Sequence, residues 1–248
     1  MKKGRIHIGL SGYSYTQWKG IFYPEGFPTA DYLSYYAQFF NVVELNSTFY
    51  SLPRASTVEN WIAKVPDDFI FCPKISKYLT HIKRLKEPEE PLERFFNAIA
   101  PMAKRTGPVL IQLPPSLKFD YDSADFFFSL LRQKYKQYEY VLEGRHATWF
   151  EEDALNLLAK HEVALVISES GDRFPYSEMV TAKNIYVRFH GAEELFISSY
   201  SDEVLEAYAK KFLGWKKEGH HLWIFFNNTM YESGLSNAIA LKAMMNED

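Results

Sequence analysis

Short apolar runs rich in β-branched and aromatic residues alternate along this chain with longer stretches whose apolar residues recur at helical spacing. The short runs predict eight strands. They are Arg5–Ser11, Val42–Phe49, Phe69–Ser76, Val109–Leu113, Tyr140–His146, Ala164–Glu169, Ile185–His190 and His221–Asn227. The stretches between them predict helices at Asp31–Phe40, Ser56–Val65, Pro91–Lys104, Ser123–Gln133, Glu151–His161 and Ser201–Glu218, with a last helix at Ser233–Met245.

Capping residues mark where several of these helices are expected to begin. Ser56 is followed three residues later by Glu59, which is the spacing of a capping box. Ser123 and Ser201 also precede amphipathic stretches and are predicted N-caps. The connection Ser170–Asn184 is too short for a full helix, so the sixth helix is expected to be short or irregular.

Strands joined by helical crossovers are typical of a parallel sheet. A chain of 248 residues with eight such units fits one (β/α)8 barrel. No linker or low-complexity stretch divides the chain, so residues 1–248 are predicted to form a single TIM-barrel domain. A doubly wound open sheet is the competing fold. It usually has fewer strands, and the first turn here, Gly9-Leu10-Ser11-Gly12, lacks the third glycine of a dinucleotide fingerprint.

Composition narrows the class of protein. With 28 Lys and Arg against 31 Asp and Glu, the net charge is −3, which disfavours a dedicated nucleic-acid coat and leaves a local basic patch open. The single cysteine, Cys72, excludes an intrachain disulfide and suits a reducing compartment. No apolar run approaches the roughly 18 residues that a membrane span needs, and the first residues do not resemble a signal peptide. We therefore expect a cytoplasmic protein without membrane association.

The predicted strands carry polar and charged residues two positions apart, separated by apolar ones. Alternate strand residues of a barrel face its lumen, and barrel enzymes bind their substrates at the carboxyl ends of the strands. The residues expected there are Glu44, Asn46, Lys74, Gln112, Glu143, Arg145, Arg188, His190 and Asn227. They form either a set of mutually satisfied groups that plugs the barrel or a ligand site. Burying many charges is costly, and the positive balance of the set favours a site for a small anionic or polyhydroxylated ligand.

The chemistry of each side chain suggests a role. Glu143 and His190 are the predicted catalytic acid–base pair, with His190 expected to titrate near neutral pH. Arg145, Arg188 and Lys74 are predicted to clamp the anion, and replacing Arg188 by Leu is expected to abolish binding and leave the fold intact. Lys74 also fits a Schiff-base lysine on a barrel strand, although nothing in the sequence specifically lowers its pKa. The other predicted ligand-binding residues are Glu44, Asn46, Gln112, Asn227, His81 and His146, and the predicted aromatic walls, which equally fit a core at the barrel mouth, are Tyr15, Trp18, Tyr50 and Trp149.

No cofactor is expected. The chain lacks the cysteine pairs of a zinc finger and the His-Glu-x-x-His motif. A divalent metal site built from Glu44, Glu143, Glu169 and His190 is the alternative, since carboxylates and imidazole together bind such ions. The basic run from Lys83 to Lys86 is expected to be a solvated loop, with phosphate contact as its alternative.

Seven segments of the chain, in order, resemble the YecE-like family of proteins of unknown function. They are GLSGYSYTQW (9–18), VELNSTFYSLP (43–53), KISKYLTHIKRLK (74–86), GPVLIQLPPSLKFD (107–120), EGRHATW (143–149), YVRFHG (186–191) and IFFNNT (224–229). The resemblance implies a (β/α)8 barrel of bacterial and archaeal proteins with no established activity. Three positions depart from the family pattern: Tyr13 stands where Trp is usual, Thr148 where Ser is common and Glu169 where Asp is expected.

The leading hypothesis is an enzyme that acts on a small anionic or polyhydroxylated molecule at the mouth of the barrel, without a permanently bound metal. Two alternatives stay open. One is a metal-assisted phosphodiesterase or nucleic-acid-processing barrel, which needs a metal cluster and a salt-dependent affinity for DNA or RNA. The other is a non-catalytic protein that binds a small ligand in the same pocket.

Overall fold

Eight parallel strands form one sheet in the computed structural model, which describes residues 4–246. The strands are β1 (Ile6–Ser11), β2 (Val42–Leu45), β3 (Ile70–Pro73), β4 (Val109–Gln112), β5 (Tyr140–Glu143), β6 (Ala164–Glu169), β7 (Asn184–Phe189) and β8 (His221–Phe226). They are hydrogen-bonded in the order β3-β2-β1-β8-β7-β6-β5-β4. Isolated bridges from Phe71 to Thr106 and from Lys74 to Leu110 join the two ends, so the sheet is a nearly closed barrel, as predicted.

Helices follow the strands and form the outer layer. They are α1 (Tyr32–Tyr36), α2 (Ser47–Tyr50), α3 (Ala55–Ala63), α4 (Glu89–Ile99), α5 (Tyr121–Lys134), α6 (Glu152–Lys160), α7 (Asp202–Lys217) and α8 (Ser233–Asn246). The connection between β6 and β7, described in full, contains turns and no helix, which confirms the prediction of an irregular sixth crossover. Within residues 4–246, no helix is both long and apolar enough to cross a membrane.

Several strands end earlier than the apolar pattern predicts. The strand predicted over Val42–Phe49 ends at Leu45, and the short helix α2 begins two residues later. The strands predicted to end at Ser76 and His146 end instead at Pro73 and Glu143. In each case the polar residues beyond the strand belong to the connection at the barrel mouth, because their backbones leave the sheet before the alternation of polar and apolar residues stops.

The helix starts were predicted with mixed success. Ser201 is an N-cap, since its side chain accepts from the backbone N–H of the third helical residue. The capping box at Ser56 is not formed, because α3 begins one residue before it and its N-cap position is occupied by Arg54. Helix α5 is capped by Asp120, whose carboxylate accepts from the N–H of Ser123 at 3.0 Å. A carboxylate three residues upstream therefore takes the role predicted for Ser123 itself.

The lumen of the barrel is apolar through its middle. Its buried residues come from seven strands or their immediate ends: Val42, Cys72, Leu110, Val141, Ala164, Val166, Tyr186, Trp223 and Phe225. At the amino end of the strands, His7 stacks on Trp223 with ring centroids 4.3 Å apart. A larger cluster of buried aliphatic and aromatic side chains fills the space between the sheet and the helices. The apolar lumen separates the two ends of the barrel, so polar groups at the carboxyl end form a site of their own.

A tyrosine from α1 completes the junction between β1 and β2. The buried Tyr36 hydroxyl accepts from the N–H of Leu10 at 3.0 Å and donates to the carbonyl of Val42 at 2.9 Å. Residue 9 is glycine because the chains approach closely here: a Cβ on Gly9 would lie 2.4 Å from the Val42 carbonyl oxygen. The hydroxyl of Tyr36 therefore takes the place of a direct bond between the strands where their pairing begins.

Replacing Tyr36 by Phe should destabilise the fold by about 1–3 kcal/mol, because the variant leaves a buried N–H and a buried carbonyl without a partner. Urea denaturation followed by circular dichroism measures the loss. Tyr35→Phe is the matched control: it removes a hydroxyl from the same helix and should change the free energy of unfolding by less than about 0.5 kcal/mol. Equal losses in the two variants would contradict the assigned bridge.

Candidate functional site

Polar side chains form a layer above the apolar lumen, at the carboxyl ends of the strands. Because side chains two apart point to the same face of a strand, Val42 in the lumen is followed by Glu44, Val141 by Glu143, and Tyr186 by Arg188. The three charged residues are all buried. The alternation that predicted the inward-facing residues of these strands is therefore confirmed.

Arg188 lies at the centre of this layer and holds both carboxylates. Its Nε and Nη2 donate to the two oxygens of Glu44 at 3.0 and 2.8 Å, which is a bidentate pair. Its Nη1 donates to Glu143. Glu44 also accepts from the hydroxyls of Ser11 at 2.7 Å and Tyr186 at 2.8 Å. The network thus joins strands β1, β2, β5 and β7 through side chains alone.

Glu143 is a carboxylate in this setting. Burial alone would raise its pKa, but the neighbouring Arg188 and Arg145 outweigh burial and hold the pKa well below its usual range. Arg145 donates from Nε to Glu143 at 2.8 Å. Glu143 therefore anchors two guanidinium groups in its ionised form.

His190 is buried beside this network and is neutral. The side-chain amide of Asn227 donates to its Nδ1 at 2.9 Å, so the neutral ring carries its proton on Nε2. Nε2 lies 3.9 Å from Glu143 and has no hydrogen-bond partner among the described residues. Burial and the charge of Arg188 lower the pKa of His190 to about 3. The expectation that His190 titrates near neutral pH does not hold, and the ring is instead an uncharged donor.

A cavity of about 610 Å³ lies above the network. Its lining combines aromatic, amide and cationic side chains: Tyr15, Asn46, Ser47, Phe49, Tyr50, Lys74, Lys77, His81, Gln112, Arg145, Arg188, Phe196 and Asn227. Four of these residues are Lys or Arg. Within the part of the chain from residue 4 to residue 246, no Asp or Glu lines this cavity. Every charged side chain in the lining is therefore a cation, whereas the two carboxylates, which pair with Arg188, lie beneath the lining.

Lys74 reaches this cavity from a buried position. Its Nζ donates to Gln112 Oε1 at 2.6 Å and lies 4.1 Å from the centre of the Phe49 ring. Burial and the charge of Arg188 lower the pKa of Lys74 to about 7. Near neutral pH a substantial fraction of this side chain is thus an uncharged amine, a property that the sequence alone did not indicate.

Arg145 presents a free end to the same cavity. Its Nε is engaged by Glu143, and its guanidinium carbon lies 4.1 Å from the centre of the Phe174 ring. Among the described residues, neither Nη atom of Arg145 has a hydrogen-bond partner. A planar guanidinium held by one nitrogen and a ring is oriented, and its other nitrogens can bind an anion.

The structure brings most of the predicted residues together, in two tiers. Nine line the cavity: Tyr15, Asn46, Tyr50, Lys74, His81, Gln112, Arg145, Arg188 and Asn227. Glu44, Glu143 and His190 are buried and do not line it. Trp18 and Trp149 belong to the core instead: their indole nitrogens donate to backbone carbonyls of Tyr231 and Leu117. His146 also lies outside the cavity lining and bonds to Thr148.

Five residues near the site were not among the predicted site residues. Ser47, Phe49, Lys77 and Phe196 line the cavity, and Phe174 stacks on Arg145. Lys77 lies three residues after Lys74, so a helical turn following the third strand was the available signal. Phe174 and Phe196 come from irregular loops, where no periodicity indicates which way a side chain points.

The alternative metal site is not assembled. Among residues 4–246, no three His, Cys, Asp or Glu side chains lie close enough together to hold a metal ion. Glu44 and Glu143 are held by Arg188, whereas Glu169 accepts from the Tyr200 hydroxyl and from the N–H of Gly171. The possible metal set therefore divides between two hydrogen-bond networks.

The basic run after His81 forms a separate surface. Lys83 pairs with Glu87, and Arg84 donates to the side chain and carbonyl of Ser116. Together with Lys86, Arg84 borders a second cavity of about 430 Å³, which shares no lining residue with the Lys74 cavity.

Comparisons with known proteins agree on one family. The family model described as "Protein of unknown function DUF72" matches residues 7–248. The UPF0759 protein YecE of Escherichia coli K12 is 27% identical over 234 residues, covering 85% of this chain and 82% of that protein. The UPF0759 protein YunF of Bacillus subtilis is 23% identical over 253 residues, covering 90% and 88%. A crystal structure of a DUF72 family protein from Thermotoga maritima superposes with a TM-score of 0.86 at 30% identity, covering 98% of this chain and all of that one.

Replacing Arg188 by Met should destabilise the protein by about 3–5 kcal/mol at pH 7, because it leaves the buried Glu44 and Glu143 carboxylates without their main partner. The structure thus revises the expectation that the fold tolerates loss of Arg188. The loss, measured by urea denaturation, should shrink as the pH is lowered and the carboxylates take up protons. The double variant Glu44→Gln with Arg188→Met should recover part of the stability. A single variant as stable as wild type would contradict the proposed role of the network.

His190 should make the wild type less stable in mild acid. In the unfolded chain this residue takes up a proton below its ordinary pKa of 6.5, whereas in the folded protein it stays neutral down to about pH 3. The unfolded state therefore binds more protons, and stability falls as the pH falls between these two values. His190→Gln should reduce that slope by about 1 kcal/mol per pH unit. Urea midpoints at several pH values measure the slope, and an unchanged slope would contradict a neutral, buried His190.

Proposed function

Because the chain belongs to the DUF72 family, whose function is unknown, its activity has to be inferred from its own site, and we propose that it is an enzyme acting on a small organic anion. The ligand would occupy the cavity above the Arg188 network. Its carboxylate or phosphate group would contact the free end of Arg145.

The charge of the cavity lining is the observation that carries this proposal. Every charged side chain in the lining is a cation, and the nearest carboxylates, Glu44 and Glu143, are already paired with Arg188. A concave surface with one sign of charge concentrates ligands of the opposite sign. The aromatic and amide groups beside the cations suit an organic molecule with polar substituents.

Arg145 is the best-placed anion contact. Its side chain is only 15% exposed and is oriented by Glu143 and by the Phe174 ring, so little conformational freedom would be lost on binding. Lys77, exposed at the rim, adds to the positive field. Arg188 lines the cavity but has no free guanidinium nitrogen to offer a ligand, because all three of its nitrogens already donate to carboxylates.

Lys74 is better suited to proton transfer than Glu143 and His190, the catalytic pair predicted from the sequence. A group that takes up and releases protons near neutral pH needs a pKa in that range. The pKa of Glu143 is well below this range and that of His190 is about 3, whereas that of Lys74 is about 7. We therefore assign His190 as a neutral hydrogen-bond donor, Glu143 as an anchor of the two arginines, and Lys74 as the group that changes its protonation state.

Arg145→Met should weaken the binding of small anions by about tenfold or more, because a charge-assisted hydrogen bond in a buried site is worth more than about 1.4 kcal/mol. Isothermal titration with pyruvate, phosphate and citrate measures the affinity, and a thermal melt checks that the variant is folded. Arg145→Lys keeps the positive charge but loses the planar guanidinium. Its affinity for these anions should lie between that of the wild type and that of Arg145→Met.

Arg173→Met is the matched control, since it removes the same charge from an exposed arginine that does not line the cavity. It should bind the anions as wild type does. If Arg145→Met and Arg173→Met bind equally well, or if no anion binds the wild type, the proposed ligand class is wrong.

A further inference from the structure

We propose that the Lys74 amine is a nucleophile that forms a Schiff base with the carbonyl group of a small anionic substrate, such as a 2-oxo acid or a ketone that carries a phosphate. The inference rests on the proposed function, since it uses the same cavity. It goes further by naming the reacting atom, the bond that forms and the substrate class.

The surroundings of Lys74 suit an amine more than an ammonium. An ammonium group has three N–H donors, and within the described chain Nζ finds only one acceptor, Gln112 Oε1 at 2.6 Å. No carboxylate forms an ion pair with it among residues 4–246. The Phe49 ring contacts Nζ on another side, at 4.1 Å from its centre, and gives a charged form modest support. A neutral Nζ that donates to Gln112 keeps its lone pair for a molecule in the cavity.

The backbone of Lys74 is fixed, which places its amine with little freedom. Its N–H donates to the hydroxyl oxygen of Thr48 at 3.0 Å, and its carbonyl accepts from the same hydroxyl at 2.7 Å. It also forms an isolated bridge with Leu110 on the neighbouring strand. A nucleophile held from a strand end and clamped by a buried threonine is pre-positioned for reaction.

Burial and neighbouring positive charge together keep the amine reactive at neutral pH. Burial is the largest cause of the lowered pKa of Lys74, and the guanidinium groups of Arg188 and Arg145 lower it further, while Glu143 and Glu44 act in the opposite direction. A lysine that is desolvated and placed beside another cation is activated for attack on a carbonyl group. The pairing of Glu44 and Glu143 with Arg188 is what prevents them from holding Lys74 as a tight ion pair.

The same cavity supplies contacts for the rest of such a substrate. The free end of Arg145 would hold the anionic group, as proposed above. Asn46 Oδ1 is buried and has no hydrogen-bond partner among the described residues. It can accept a hydrogen bond from a substrate hydroxyl or from a carbinolamine hydroxyl. These contacts select a molecule that has a carbonyl and an anion close together.

The bond changes balance without an oxidant or reductant. The Nζ lone pair attacks the carbonyl carbon, and the carbonyl π electrons move to the oxygen. One of the two amine protons passes to that oxygen, which gives a neutral carbinolamine. A second proton, from solvent, allows the hydroxyl to leave as water, and the nitrogen lone pair forms the C=N bond. The product is an iminium ion that retains the other amine proton.

Reductive trapping tests the proposal directly on the full-length protein. The wild type is incubated with pyruvate or dihydroxyacetone phosphate and sodium cyanoborohydride, then digested and analysed by peptide mass spectrometry. We expect one reduced adduct on Lys74, formed faster above neutral pH than below it because more of the amine is then uncharged. Lys77 is the internal control, since it lines the same cavity but is exposed. An adduct spread equally over Lys77 and other surface lysines, or absent with both carbonyl compounds, would overturn the assignment.

Lys74→Met and L-lactate separate the two proposals. Lys74→Met keeps an unbranched side chain one atom shorter and should lose the adduct entirely. The wild-type peptide map identifies the site even if this variant folds poorly. Lactate has the carboxylate of pyruvate but a hydroxyl group in place of the ketone. It should therefore slow trapping by competition and form no adduct itself. Anions that bind the wild type without any trapping of carbonyl compounds would refute the Schiff base and leave the anion site standing. If no anion binds, both proposals fail.

Discussion

Arg188 holds two buried carboxylates that come from strands spaced around the barrel, and the rest of the site depends on this interaction. One guanidinium forms a bidentate pair with Glu44 and a further bond to Glu143, with all three side chains almost wholly excluded from solvent. A buried charge is tolerated only when it is paired and hydrogen-bonded, so each member requires the others. The network thus fills the carboxyl end of the lumen with mutually satisfied polar groups and also forms the floor of the cavity.

The charge above this floor follows from the pairing below it. Glu44 and Glu143 have little capacity left to neutralise other groups, because their oxygens already accept from Arg188, Arg145, Ser11 and Tyr186. The Nη atoms of Arg145 and the amine of Lys74 face the cavity without a hydrogen bond to a carboxylate. Burial then acts on Lys74 and brings its pKa into the neutral range. A single ion network therefore underlies both the proposed anion site and the reactivity proposed for Lys74.

The alternation of polar and apolar residues was sufficient to predict the fold and the inward-facing charged residues. Period-two spacing assigns Glu44, Glu143 and Arg188 to the lumen whatever their partners are. It carries no information on which of them meet, and Arg188 and Glu44 are 144 residues apart in the chain. The roles therefore could not be assigned: Arg188 was predicted to be a clamp for the ligand, and it is instead a clamp for the protein's own carboxylates.

The positions of aromatic residues near the barrel mouth also could not be predicted from the sequence. Trp18 and Tyr50 both follow strands, yet Trp18 is fully buried while Tyr50 is 77% exposed at the cavity. Spacing alone does not distinguish the two, because burial depends on neighbours that are distant in the chain. The pKa of Lys74 could not be predicted from the sequence either, since it depends on desolvation and on charges from other strands.

Anomalous scattering from a crystal grown in sodium bromide tests the central claim most directly, because it locates anions without assuming a substrate. If the Arg188 network leaves an unneutralised positive cavity, a bromide ion should bind inside it, in contact with Arg145 or Lys74. Bromide confined to the outer surface, with the cavity empty of anomalous signal, would contradict the account.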